Sequence, residues 1–185
     1  MLIPPLPNFS YDSAPNFDPT TQIRLLKLHR RVPFFEVSAE LVSCAIEEAP
    51  TYYAISYVWS YGRQDFRTIT LNGMSFKIRR NVYDILNRCS SFLGPQTIWI
   101  DTICIDQSNN DEKTFQVRAM QDIYSTAEHV LVCLGNGPEY VAQFFERRKT
   151  DPWLAARIDA LQELLQHPWF RRVWVIQEAV VPRAV

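Results

Sequence analysis

Residues 97–105 read TIWIDTICI, a nearly unbroken apolar run of strand length that ends at Asp106 and Gln107. A run of this kind suits a strand covered on both faces. Helical patterns stand on either side of it. Upstream, Asn81 is placed to cap a helix whose apolar face is Val82, Ile85, Leu86 and Cys89, with Asp84 three residues on as in a capping box, and Gly94-Pro95 ends it. Downstream, residues 112–128 place Val117, Met120, Tyr124 and Ala127 on one stripe with Ile123 beside it. HVLVCLG (129–135) repeats the buried-strand pattern, and TYYAISYVWS (51–60) gives it again before the first helix. A further helix is expected over 152–166, from Leu154, Ile158, Leu161 and Leu165, and Pro168 suits the first position of another over 168–180. Buried strands alternating with amphipathic helices predict an α/β domain with a mostly parallel central sheet flanked by helices.

The front of the chain is patterned differently. IRLLKLHR (23–30) and FFEVSAELVSCAI (34–46) read as additional amino-terminal strands. RTITLNGMSFKI (67–78) splits around Asn72-Gly73, the pair that best accepts the positive φ angles of a tight hairpin turn. Residues 1–20 hold five prolines among Asn, Asp and Ser, which predicts an irregular leader before a single domain over 21–185.

Composition sets the class. With 185 residues, 47% hydrophobic and 21% charged, the chain can bury a core large enough to offset its conformational entropy. Its net charge of −1 and lack of a long basic run argue against an electrostatic grip on nucleic acid. Four scattered cysteines without a CxxC pair read as buried reduced thiols, and with three isolated histidines they offer no metal-ligand spacing. MLIPPLPNF lacks the basic start of a secretory signal, and no apolar run has the length of a membrane helix. A cytoplasmic protein is expected.

Chemistry-bearing residues are few. No G-x-S-x-G, P-loop or G-x-G-x-x-G is present, and Cys104 has no local partner signature. Asp101 interrupts a covered strand, where an ionised group needs a partner. Asp106 reads more simply as the opening of a turn than as a ligand group. The densest puzzle is HPWFRRVWVIQEAV (167–180). Glu178 there has two readings. It is an exposed or Arg-paired glutamate on a helix surface, or a carboxylate held against Trp174 in an apolar cleft, where ionisation is disfavoured and water excluded.

Five segments, in order, resemble the fungal HET (heterokaryon incompatibility) domain. IRLLKL resembles its opening strand, YYAISYVWS its Y-x-A-L-S-Y-x-W-G motif, and IWIDTICIDQ its L-W-I-D-x-x-C-I-N-Q motif. QVRAMQDIYSTAEHVLVCLG and PWFRRVWVIQEAV resemble the next two blocks, so that the likeness spans about residues 23 to 180. Ser60, Asp106 and Cys133 depart from the usual glycine, asparagine and tryptophan. The resemblance implies an effector of fungal non-self recognition and programmed cell death. HET domains are in turn distantly similar to TIR domains, which implies a flavodoxin-like sheet and, as in some TIR enzymes, cleavage of NAD between nicotinamide and ribose. NAD would be substrate, not cofactor. On that likeness Glu178 is the catalytic residue, Trp174 lines the pocket, and Ser56, Tyr57, Trp59 and Asp101 are its substrate-side neighbours. The same fold also serves non-enzymatic modules that signal by self-association or by recruiting other cell-death proteins.

Overall fold

The computed structural model describes residues 5–13, 17–30, 36–59, 65–90, 96–134, 165–172 and 178. Trp174 lies outside these residues, as does all but the end of the helix expected over 152–166. Seven strands form one sheet among the described residues: β1 (Gln22–Leu28), β2 (Ser38–Ala45), β3 (Tyr53–Tyr57), β4 (Phe66–Leu71), β5 (Met74–Arg79), β6 (Gln96–Trp99) and β7 (His129–Cys133). Three α-helices accompany them: α1 (Arg80–Cys89), α2 (Asp101–Cys104) and α3 (Asn110–Thr126). The spatial order is β5-β4-β2-β1-β6-β3-β7.

The fold is α/β, but the sheet is mixed and not mostly parallel. β1 runs antiparallel to both β2 and β6, and β4 to β5, whereas β2–β4, β3–β6 and β3–β7 are parallel. The two longest ladders are antiparallel, with seven registered pairs for β1–β2 and six for β4–β5, against five for the parallel β3–β7. The reason lies at the front of the chain. β1 and β2 are not an appendix to the sheet: β1 inserts at its centre, where it runs antiparallel both to β2, which follows it in the chain, and to the distant β6. The parallel character survives in the trio β6-β3-β7, where the earliest strand sits between the two later ones.

TIWIDTICI is not one strand. β6 ends at Trp99, and the chain turns into α2, whose first residue Asp101 accepts a bond from the Thr102 amide at 2.6 Å. Ile103, Cys104 and Ile105 are buried as expected, yet through one helical turn and its exit. Asn81 does not cap α1 either. Arg79 holds that position without a side-chain bond, and the Asn81 amide nitrogen donates instead to the Val58 carbonyl at 3.1 Å. Asp84 pairs with Arg80 at 3.7 Å. Asn72 and Gly73 take φ of 50° and 75°, and so turn the chain between β4 and β5.

α3 buries Met120, Ile123 and Tyr124. Asn109 caps it by accepting from the Asp111 and Glu112 amides. The core fills with Leu25, Leu26 and Leu28 of β1, Tyr52, Ile55, Trp99 and Tyr124, all nearly inaccessible. Buried hydroxyls need partners, and Tyr52 donates to the Ile123 carbonyl at 2.5 Å.

Candidate functional site

The carboxyl ends of parallel strands leave backbone ends and loops exposed at one rim, which is where α/β sheets gather ligand groups. β3 delivers Ser56 and Tyr57 to this rim, followed by Trp59, and β6 delivers Asp101, two residues beyond its end at Trp99. The short turn Pro168–Arg171 brings in Trp169 and Arg172, and Glu178 follows.

Glu178 is 1% exposed. Arg172 grips it with a two-pronged fork, Nη2 to Oε1 at 2.9 Å and Nη1 to Oε2 at 3.0 Å. Ser56 donates its hydroxyl to Oε2 as well. Ser56 in turn accepts from the Trp169 indole at 2.6 Å, and Arg172 also donates to the Tyr57 carbonyl at 2.8 Å. Two stretches of chain distant in sequence, 56–57 and 169–178, are thereby locked around one carboxylate, and the burial of charge is offset by a matched charge and directed donors.

A second cluster lies beside the first. The Trp59 indole donates to Asp101 Oδ2 at 3.0 Å, and Tyr57 and Thr102 join their hydroxyls at 2.9 Å. Burial pushes the Asp101 carboxyl above its usual range, against the opposing pull of the Trp59 and Thr102 bonds. Burial, reinforced by the Asp101 charge, pushes the Tyr57 phenol well up. Tyr124 is raised likewise by burial and then by the charge of Glu178. Both phenols are hydrogen-bonding groups at neutral pH, not bases.

Arg172 links the two clusters, because it also lines a cavity of about 260 Å³ with Trp59, Asp101, Gln107, Lys113 and Met120. A larger cavity of about 580 Å³ is lined by Tyr57, Asn81, Ile85, Cys133 and His167, among others.

The rim therefore brings Glu178, Ser56, Tyr57, Trp59 and Asp101 together, whereas Trp174 lies outside the described residues. Glu178 combines features of both sequence readings, since it is paired with an arginine and also buried. Its partner is Arg172, six residues earlier in the chain. Arg172 was visible only inside the PWFRRVWVIQEAV block, and Lys113 carried no sequence signal at all. Asp106 is the turn residue expected, its carboxylate accepting from the Ser108 amide and hydroxyl.

No group of three or more metal-ligating side chains occurs among the described residues, and none of their helices is long and apolar enough to cross a membrane. No solved structure matches the chain significantly. Heterokaryon incompatibility protein 6, OR allele, of Neurospora crassa is 31% identical over 232 residues, an alignment covering 92% of this chain and 33% of that protein. The chain thus spans about a third of that relative's length. Residues 52–178 match the family described as Heterokaryon incompatibility protein (HET), a span that opens beside β3 and closes on Glu178. The chain belongs to the HET family.

Proposed function

We propose that this chain is an effector domain of heterokaryon incompatibility and the cell death that follows it, and that it acts by hydrolysing NAD at the nicotinamide–ribose bond. The family membership and the name of the Neurospora relative support the first half. The observation that carries the second is the seating of Glu178, buried at the carboxyl end of β3 and next to Ser56. The order of the parallel trio adds support. Counted along the chain, β3, β6 and β7 lie in space as second, first and third, which is how a flavodoxin-like or TIR-like sheet begins.

In the proposed reaction the bond between ribose C1′ and the pyridinium nitrogen breaks. Its electron pair passes to the ring, which leaves as neutral nicotinamide. The sugar is left with oxocarbenium character, and the Glu178 carboxylate stabilises that charge. A water oxygen then bonds to C1′ and releases its proton to solvent. The leaving group is already cationic, so no strong general acid is needed.

A second reading is favoured by one observation: in this state both Glu178 oxygens are engaged, by Arg172 and Ser56. Here the pair is structural, and the domain signals without catalysis, by homotypic assembly and recruitment of partners. Incubating the protein with NAD and following nicotinamide release separates the two. Turnover by the wild type that is lost in Glu178→Gln is the expected result. Absence of turnover at high protein concentration, with cell toxicity unchanged by Glu178→Gln, would favour the assembly module.

A further inference from the structure

The cavity of about 260 Å³ carries three charged side chains among its described lining residues, Asp101, Lys113 and Arg172. Arg172 is neutralised by Glu178. Asp101 and Lys113 are not: among the described residues neither forms an ion pair. Two opposite charges thus face one small cavity without being spent on each other.

Each has capacity to spare. The Asp101 oxygens accept from the Trp59 indole at 3.0 Å and the Thr102 amide at 2.6 Å, both neutral donors. A carboxylate accepts about four bonds. The charge of Arg172 also favours the ionised carboxylate, but that guanidinium is forked onto Glu178, so a second cation arriving beside Asp101 is favoured. Trp59 lines the same cavity, and its indole adds a π surface, which attracts cations. Lys113, on the first turns of α3, is partly buried and supplies a mobile point charge of the kind that binds phosphate.

We propose that this cavity is a charge-split site for a zwitterionic mononucleotide, in which Asp101 and Trp59 hold the cationic ring and Lys113 holds the phosphate. The identity of the ring rests on the NAD reading, of which this would be the nicotinamide mononucleotide half. The site makes Asp101 a recognition carboxylate distinct from Glu178, and it adds Lys113 to the residues that select the substrate.

Calorimetric titration with four probes tests the assignment: nicotinamide mononucleotide, 1-methylnicotinamide as the cation alone, neutral nicotinamide, and inorganic phosphate. Wild type is expected to bind 1-methylnicotinamide about tenfold more tightly than nicotinamide. Asp101→Asn should erase that preference. Lys113→Gln, at a partly buried helix position, should weaken nicotinamide mononucleotide and phosphate about tenfold while leaving 1-methylnicotinamide unchanged. The wild-type comparison stands even if Asp101→Asn does not fold. Equal binding of the charged and neutral rings overturns the proposal, as does a preference that survives Asp101→Asn or a Lys113→Gln effect equal for all probes. Failure to bind nicotinamide mononucleotide at millimolar concentration overturns it too. Nicotinamide release from NAD judges the hydrolase reading separately. Charge-selective binding without release leaves the site standing and removes the hydrolase, and release without charge selectivity does the reverse.

Discussion

Asp101 and Glu178 are both carboxylates at one rim, and their surroundings treat them differently. Glu178 holds both prongs of the Arg172 guanidinium, whereas Asp101 accepts from an indole and an amide and feels Arg172 only through its charge. For Asp101 burial outweighs those neutral donors, and its carboxyl lies above the ordinary 3.8. The folded state therefore holds the Asp101 proton more tightly than the unfolded chain does. Its contribution to stability is present at acid pH and is lost as pH rises from 3.8 through the raised folded value. Urea unfolding of wild type and Asp101→Asn at acid and at neutral pH checks this, with the variant expected to gain relative to wild type as pH rises. Sequence singled out both carboxylates, one for its place in a covered strand and one from its family block. It could not reveal which cation served which, because Arg171 and Arg172 are adjacent and only the fold selects between them.

At the scale of elements, local turn chemistry was fully legible and covered apolar runs were not. Asn72-Gly73 marks the hairpin because few other pairs take two consecutive positive φ angles, and both residues do so. Asn72 does more than turn the chain: its Oδ1 accepts from the Leu41 amide at 2.8 Å and so ties the hairpin to β2. A Cβ on Gly73 would meet no atom within 4 Å, yet its φ of 75° is one that side chains disfavour. Gly73→Ala is accordingly expected to cost about 1 kcal/mol, read from the urea midpoint. Residues 97–105 show the opposite case. Both a covered strand and a buried helical turn present unbroken apolar sequence, and the break at Asp101 became interpretable only once its carboxylate was seen to accept from the next amide. The α1 cap failed for a related reason, since a tertiary acceptor, the Val58 carbonyl, took the Asn81 side chain.

Across the whole molecule, the amino-terminal segment and the site are fastened to the same frame. Phe9 donates to the Ser75 carbonyl on β5 at 2.9 Å, and the Tyr11 hydroxyl to the Ile103 carbonyl of α2 at 2.8 Å. Arg24 of β1 lies under Phe17, 3.7 Å from the ring centre, and pairs with Glu112 of α3 at 2.5 Å. Glu112 also accepts from the Asp106 amide at 2.7 Å, and so fixes the loop that carries Gln107 to the cavity. Both partners are only about 4% exposed, so breaking the pair from one side strands a buried charge. Arg24→Met should cost about 3–5 kcal/mol in urea unfolding, and adding Glu112→Leu should recover most of it. Periodicity cannot report a pairing between residues 88 positions apart, nor can it show that β1 would enter the sheet centre and make it mixed. Alternation does mark the strands and helices, but the direction of each strand depends on neighbours chosen over the whole chain.

The bond from Trp169 to Ser56 gives the site a built-in reporter. An indole can only donate, so the Ser56 oxygen is the acceptor, and its single hydrogen is left for Glu178. Proton order along the chain indole–hydroxyl–carboxylate is thereby one-way. Any event that withdraws Glu178 frees the Ser56 hydroxyl to turn and changes the field at a fluorophore that is 5% exposed. The solvent exchange of the Trp169 indole hydrogen thus carries a readout of the carboxylate, without any added label.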